Sequence, residues 1–266
     1  MGRVVSICLS FFLFLQFFVI RTYAQQPAAA YEDDIAPVEI TPSGIGPELY
    51  IVPAVLIGLG VLSETVPSNT ALSKYEIHKR ITAGERVNYL DDYLQFAPLT
   101  AVILLPLGTD IPHRSTMPQL IGKAAVSQAT MLGLVYGMKE VIGKERPGGR
   151  PHSFPSGHTA QAFTGAQLLY LEYRDTNKWI AYSGYPVAAF VGVDRVVNND
   201  HWASDVLVGA GIGMAIPVFV YWASDRIFGS PAEQAANAGK ASGGYTAFLT
   251  PALRPGSHGI GVAVNF

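Results

Sequence analysis

Cysteine is almost absent from this sequence of 266 residues, in which Cys8 is the single example. Cys8 lies in an N-terminal apolar segment that we expect to be cleaved off. The mature chain would then have no disulfide bond, no thiolate nucleophile and no cysteine-based metal site. No cysteine stands at the expected cleavage point, which also argues against a lipoprotein anchor. Any chemistry must therefore come from other side chains.

Charged residues are also scarce, at 14% of the chain, and they nearly cancel to a formal net charge of -2. A nucleic-acid partner is not expected, because no basic surplus is available to neutralise a phosphate backbone. Apolar residues make up 49% of the chain, and the mean hydropathy is +0.26. This composition is more apolar than that of a typical soluble enzyme and favours association with a membrane.

The N-terminus has the pattern of a secretory signal peptide. Arg3 supplies a positive charge, and an almost unbroken apolar run extends from Ile7 to Ile20. Thr22-Tyr23-Ala24 then provides small residues at the two positions that a signal peptidase recognises. We therefore predict a signal peptide over residues 1–24 and a mature chain that starts at Gln25, outside the cytoplasm. An uncleaved membrane anchor is the alternative.

The rest of the chain reads as a helical domain between two irregular segments. Residues 25–48 are rich in proline and acidic side chains without an apolar period, which predicts a flexible lead-in. Residues 49–228 carry six apolar segments bounded by Pro, Gly, Asn or charges, the pattern of helices. These segments are Leu49–Leu62, Leu90–Leu107, Gln119–Gly143, Ser156–Tyr173, Lys178–Val193 and Ala203–Ser224. The predicted fold class is all-α, a six-helix bundle.

The predicted tail, residues 229–266, begins with an Ala/Gly/Ser linker. Alternating side chains in Gly243–Thr250 and Gly259–Phe266 predict two short strands. Such a pair can form an edge hairpin, but a single hairpin cannot close an outer-membrane barrel. We therefore expect a C-terminal hairpin or tail.

Membrane association is expected, but the number of spans is open. Among the six segments, only Ala203–Ser224 has the length of about 20 apolar residues that a bilayer requires. If the mature N-terminus is outside, six full spans would place the loop after the third helix in the cytoplasm. A bundle in the outer leaflet, or one re-entrant helix, would remove that conflict. The basic stretch Lys74–Arg86 supports the six-span topology by the positive-inside rule.

The first polar cluster closes the third predicted helix and runs from Lys139 to Pro147. Lys139 and Arg146 are seven residues apart, which is two helical turns, so we expect both side chains on one helix face. Pro147 and the following glycines are expected to end the helix. Two cations that point the same way can bind an anion, although basic residues at a helix C-terminus also compensate its dipole.

The second cluster, Phe154-Pro-Ser-Gly-His-Thr159, opens the fourth predicted helix. A turn that leads into a helix presents free backbone N–H groups and the positive end of the dipole, which together can bind an anion. Ser156 can cap the helix or donate to an oxygen, and Gly157 lets the backbone approach closely. His158 could give a proton to a leaving group. Ordinary capping is the structural alternative.

The third cluster combines a cation with a histidine–carboxylate pair. Arg195 precedes His201 by six residues, and Asp205 follows His201 by four. His201 and Asp205 would therefore share a helix face, where the carboxylate can hold one imidazole nitrogen and leave the other as a nucleophile. A surface His–Asp pair is the simpler reading of this spacing by itself.

The three clusters contain, in order, the motifs Lys-x6-Arg-Pro, Pro-Ser-Gly-His and Arg-x5-His-x3-Asp. Together they resemble the three-part signature of the type 2 phosphatidic acid phosphatase superfamily, and the resemblance covers residues 90–224. The resemblance implies a helical bundle whose three clusters meet at one end. It also implies that His201 attacks phosphorus, that Asp205 orients it and that His158 protonates the leaving oxygen. The phosphoryl oxygens would be held by Lys139, Arg146, Ser156, Gly157 and Arg195.

One residue departs from the family pattern. The family often has serine before the arginine of the third cluster, and here that residue is Asp194. A carboxylate beside a phosphate site should repel the phosphate unless it turns away. The consequence of this change for phosphate binding depends on which way Asp194 turns.

No cofactor or metal is expected. Phosphoryl transfer depends mainly on positioning and on stabilising charge at three equatorial oxygens, which three cations and helix N–H groups can supply. The two histidines need opposite states, His201 neutral and His158 protonated, so their surroundings should push their pKa values apart.

The resemblance implies a metal-independent phosphatase that acts through a phosphohistidine, with a membrane-associated site that faces the periplasm. The expected partner is a phosphorylated lipid, such as lipid A, undecaprenyl pyrophosphate or phosphatidate. A soluble periplasmic acid phosphatase is the main alternative. A vanadium haloperoxidase fits less well, because only nine residues separate Arg146 from Ser156. A non-enzymatic envelope protein is a further alternative.

Overall fold

The computed structural model describes residues 44–84, 87–231 and 233, and two C-terminal strands over 246–254 and 257–265. The predicted signal peptide, nearly all of the lead-in and most of the predicted linker lie outside the described residues. The statements below concern the described part of the chain.

The helical part is all-α, as predicted. A 3-10 turn over Pro47–Tyr50 precedes the first helix. The helices are α1 (Ile51–Thr65), α2 (Lys74–Ile81), α3 (Leu90–Leu94), α4 (Ala97–Gly108), α5 (Met117–Ile142), α6 (Gly157–Tyr173), α7 (Lys178–Val197) and α8 (Ala203–Phe228).

The prediction of six helices was wrong in two places. Helix α2 was missed, because its sequence KYEIHKRI has no apolar stripe; its start is stabilised by Ser73, whose hydroxyl accepts from the backbone N–H of Glu76. The second predicted helix is two helices, α3 and α4. Helix α4 begins at Ala97 and has Pro98 in its first turn. The N–H groups of a first turn have no partner within the helix, so a proline, which has no N–H, is tolerated there.

Helix α6 lies at the centre of the bundle. Its side chains are buried over nearly its whole length, and the main apolar core forms around Leu168, Leu169 and Leu171 with Val102 and Tyr221. Helix α8 packs closely against the start of α6. A Cβ atom on Gly209 would lie 2.6 Å from the carbonyl oxygen of Ser156, so only glycine permits this approach. This contact places α8 beside the Pro-Ser-Gly-His turn.

Three helical segments have the length and apolar character to cross a membrane: Pro47–Thr65, Leu90–Gly108 and Ala203–Phe228. The sequence analysis recognised only the last of them. The first includes α1, whose apolar residues are strongly exposed, with Ile51 at 61% and Val52 at 54%. Such exposure is unfavourable in water but favourable in lipid. The chain is accordingly a membrane protein.

The C-terminal strands β1 (Thr246–Arg254) and β2 (Ser257–Asn265) pair antiparallel, with Thr246 opposite Asn265. Their bounds differ by several residues from the predicted strands. Backbone proximity divides the chain between Ala223 and Ser224, and each part is described by itself. The predicted domain boundary at residue 229 stays a prediction.

Candidate active site

The three polar clusters converge at the N-terminal end of α6. A Cβ atom on Gly157 would lie 3.9 Å from Cε of Lys139, so the first and second clusters are neighbours. The backbone N–H of Ser156 donates to the carbonyl oxygen of Asp205 at 2.9 Å, which joins the second cluster to the third. Residues up to 66 positions apart in the chain thus form one group.

His201 lies beneath this group and is almost fully buried, with 1% of its surface exposed. Its Nδ1 atom is 3.5 Å from Oδ2 of Asp205 and 3.5 Å from Oγ of Ser153. The pKa of His201 is lowered to about 3, chiefly by burial and in part by Arg195, against the opposing effect of Asp205. The ring is therefore neutral near pH 7, which is the state that a nucleophile needs.

Asp205 is held by several donors. Lys144 Nζ lies 2.6 Å from Oδ1, the backbone N–H of Trp202 donates to Oδ2 at 3.0 Å, and the Ser153 hydroxyl donates to the same oxygen. Lys144 also contacts Glu64 of α1. The sequence analysis missed Lys144, Ser153 and Glu64 as site residues. Lys144 and Ser153 lie within or beside its clusters, whereas Glu64 had no local signal.

Lys139 and Arg146 come together for a different reason from the one predicted. Helix α5 ends at Ile142, and Gly143 follows it in the left-handed conformation, with φ of 59°. Such a glycine is a common helix terminator. Arg146 therefore lies in the loop after the helix, and the prediction of a shared helix face was wrong. The tertiary fold brings the two cations near each other all the same.

The Lys139 ammonium is buried and donates to the carbonyl oxygen of His152 at 2.8 Å. Its pKa is lowered to about 8, chiefly by burial and in part by the positive charge of Arg146. Arg146 Nη1 lies 3.8 Å from Asp200 Oδ1, and its own pKa is lowered by burial and then by Arg195. A bound anion would relieve this crowding of positive charge.

Arg195 is 3% exposed and makes contact with acidic side chains. Its Nη1 atom pairs with Oδ2 of Asp91, lies 3.2 Å from Oδ2 of Asp200 and lies 3.8 Å from Oδ1 of Asp92. These partners orient the guanidinium beside the second cluster. The aspartates at 91 and 92 precede it by about a hundred residues in the chain, and the sequence analysis did not connect them with the site.

Asp194 is held by two amides. Asn88 Nδ2 donates to its Oδ1 at 2.8 Å, and Asn198 Nδ2 donates to its Oδ2 at 3.1 Å. Burial is the main cause of its raised pKa, and the two amides act against that rise. Both oxygens therefore accept from amides, one just before α3 and one at the end of α7.

His158 makes its contact with Asp92, whose Oδ1 lies 3.0 Å from Nε2. Burial lowers the pKa of His158, and Arg195 lowers it further, while Asp91 and Asp92 raise it. The pKa values of both histidines are thus below their ordinary value, so burial alone does not supply the protonated imidazole that an acid requires.

Ser156 begins α6 but does not cap it with its side chain. The residue is fully buried, and its hydroxyl accepts from the hydroxyl of Thr159 at 2.9 Å. Of the two alternatives for Ser156, helix capping is therefore not observed, because the side chain bonds to Thr159 instead of to the backbone. Its hydroxyl proton remains available for an oxygen of a ligand.

One group in the described residues has the spacing to hold a metal ion. Ligand atoms of Asp91, Asp92 and His158 lie within 4.8 Å of one another. The guanidinium of Arg195 already reaches both carboxylates and supplies the positive charge that such a site needs. We therefore assign no metal ligand here.

Several known proteins are similar to part of this chain. A lipid A 1-phosphatase of Porphyromonas gingivalis is 41% identical over 151 residues, which are 56% of this chain and 34% of that protein. The bacitracin transport permease protein BcrC of Bacillus licheniformis is 34% identical over 77 residues, which are 29% of this chain and 36% of that protein. The chain spans about a third of the length of these curated relatives.

Among solved structures, the crystal structure of Aquifex aeolicus LpxE matches 59% of this chain and 98% of that chain, with 22% identity and a TM-score of 0.45. The family model of the PAP2 superfamily matches residues 110–228, the segment that contains all three clusters. This segment is thus similar to the PAP2 superfamily.

Proposed function

We propose that the chain is a phosphatase that hydrolyses a lipid phosphate or pyrophosphate, of the lipid A, undecaprenyl pyrophosphate or phosphatidate class, through a phosphohistidine at His201. The observation that carries the proposal is the buried, neutral imidazole of His201. It lies beside the carboxylate of Asp205 and near enough to Arg195 and Arg146 for their charges to act on its pKa. The similarity to a lipid A 1-phosphatase favours lipid A within this class.

The proposed first step forms an N–P bond and breaks a P–O bond. With Asp205 on the side of Nδ1, the other nitrogen, Nε2, attacks phosphorus. Asp205 keeps the ring in the required tautomer and stabilises the positive charge that develops on it. His158 gives a proton to the leaving oxygen, so that the lipid departs as an alcohol or as a phosphate.

The second step hydrolyses the phosphohistidine. His158, now neutral, accepts a proton from water, whose oxygen attacks phosphorus while the N–P bond breaks. The products are inorganic phosphate and the original neutral His201. The same groups thus complete the cycle, and the protons balance.

The charge on the phosphoryl group is proposed to be stabilised by Lys139, Arg146 and Arg195. The hydroxyl of Ser156 and the free backbone N–H groups at the start of α6, beginning at Gly157, would add donors. Fixed donors that point at developing charge act strongly in a buried site. This set needs no metal for the transfer.

Membrane association favours a lipid over a small soluble ester. Three segments of the described residues are long and apolar enough to cross a bilayer, and a phosphate on a lipid headgroup would reach the site from the membrane surface. We infer that the site faces the periplasm, on the basis of the predicted signal peptide. We also propose that residues 49–228 form the phosphatase domain.

The test is a phosphatase assay of the purified chain in detergent. We expect release of inorganic phosphate from lipid A and slower release from p-nitrophenyl phosphate. After acid-free quenching of a reaction with radiolabelled substrate, the label should be recovered on His201. Activity on soluble esters alone, recovered without detergent, would favour a soluble acid phosphatase instead.

A further inference from the structure

The structure assigns a positioning role to Asp92: its carboxylate holds the ring of His158 and keeps on that imidazole the proton that the leaving oxygen takes. This inference rests on the proposed function, in which His158 is the general acid. It adds a residue on α3 that belongs to none of the three sequence clusters.

The geometry is specific. Asp92 Oδ1 lies 3.0 Å from Nε2 of His158, although the residues are 66 positions apart in the chain. The two side chains are partly open, with 38% of Asp92 and 30% of His158 exposed. A substrate can therefore reach this pair. Because Asp92 holds Nε2, the other nitrogen, Nδ1, is the one that faces the leaving oxygen.

The neighbouring acidic residue has a different task. Asp91 is fully buried and pairs with Nη1 of Arg195. Asp92 is 3.8 Å from the same nitrogen and hydrogen bonds to His158. Of the two successive carboxylates of α3, Asp91 thus pairs with the proposed phosphate-binding arginine, and Asp92 with the proposed general acid.

The charges around His158 explain why this contact matters. The groups that act on its pKa are Arg195 on α7 and Asp91 and Asp92 on α3. Burial and Arg195 favour the neutral ring, and a neutral ring cannot donate the proton. The carboxylate of Asp92 stabilises the imidazolium by a charge-assisted hydrogen bond. Asp91 also raises the pKa of His158, but its removal would break the buried ion pair with Arg195.

Asp92→Asn is the informative variant, because it removes the charge and keeps the shape. In this variant His158 should lose its proton at a lower pH than in the unaltered protein. We expect the alkaline limb of the kcat profile to move towards acid for lipid A, with a loss of about tenfold near pH 7.5 for each unit of the shift. The first step with p-nitrophenyl phosphate, followed as the release of p-nitrophenolate in the first turnover, should change less than about threefold, since p-nitrophenolate leaves without a proton.

Two further variants separate positioning from folding. Asp92→Glu restores the carboxylate and should return the alkaline limb towards its original pH. Asp110→Asn makes the same change at an exposed carboxylate outside the site and should leave the profile unchanged. An unmoved alkaline limb in Asp92→Asn, or equal losses on both substrates, would overturn the inference.

A measurement without turnover keeps the inference distinct from the proposed function. NMR titration of the labelled His158 ring in the detergent-solubilised full chain should show a lower pKa in Asp92→Asn than in the unaltered protein. An equal pKa in both proteins would refute the role of Asp92. A lower pKa in a chain that hydrolyses neither substrate would uphold the contact and refute the phosphatase.

Discussion

Lys144 Nζ lies 2.6 Å from Oδ1 of Asp205, the carboxylate beside His201. The ammonium is 13% exposed and the carboxylate is fully buried. The same lysine contacts Glu64 on α1. This ion pair therefore connects the loop after α5 to α1 and α8, and holds Asp205 in place beside the imidazole.

Replacement of Lys144 by methionine should destabilise the protein markedly. The change leaves Asp205 buried without its cation, and the loss of one partner of a buried pair costs about 3–5 kcal/mol. Thermal unfolding in detergent would measure the loss. Lys74→Met is the matched control, since Lys74 also pairs with Glu64, at 2.7 Å and at partly exposed positions. Equal losses in the two variants would contradict the prediction.

The two histidines should respond differently to alanine. His201→Ala removes the nucleophile, so no phosphoenzyme should form with any substrate. His158→Ala removes the proton donor, so the loss should be about 10²–10⁴-fold for lipid alkoxide leaving groups and much smaller for p-nitrophenolate. Rates on both substrates, with trapping of labelled phosphate, test the roles. Label retained in His201→Ala would show that another residue is the nucleophile.

Binding of phosphate should weaken above about pH 8. The pKa of the Lys139 ammonium is lowered to about 8 in the free protein, so the charge is present below that pH and is lost as the pH rises through it. KM should therefore rise between about pH 8 and pH 10, with little change in kcat, because a bound phosphate raises the pKa of the lysine again. Steady-state kinetics across this interval measure the effect.

Lys139→Arg provides the control for this pH dependence, since a guanidinium stays charged throughout the interval. The variant should bind less well because its shape differs, but its KM should be nearly constant over the same pH range. A KM that still rises as in the unaltered protein would mean that a group other than Lys139 is titrating.

Vanadate should inhibit and EDTA should not. A five-coordinate vanadate resembles the transition state of phosphoryl transfer, and Lys139, Arg146 and Arg195 are the cations that we propose to hold its oxygens. We expect competitive inhibition by vanadate and full activity after dialysis against EDTA. Loss of activity with EDTA that Mg²⁺ restores would favour a metal role for Asp91, Asp92 and His158.

Most helices could be predicted because their signals are local. Helices α5 to α8 start and end within a few residues of the prediction, since apolar runs and residues such as Asn177 mark them; the Asn177 side chain accepts from the N–H of Ile180. Helix α2 was missed because its charged sequence has no apolar stripe. The end of α5 shows the limit, since Arg146 was expected on one helix face with Lys139 and the left-handed Gly143 ends the helix before Arg146.

The sequence by itself determined which chemical groups the site has, because each cluster keeps its residues within a few helical turns and so carries a recognisable spacing. Only the tertiary structure decided how those groups are held. Asp92 contacts His158 across 66 residues, Asp91 pairs with Arg195 across 104, and Glu64 contacts Lys144 across 80. Such contacts follow from the packing of α1, α3 and α8 around the site, and a pairing of distant residues leaves no periodicity or spacing in a single sequence.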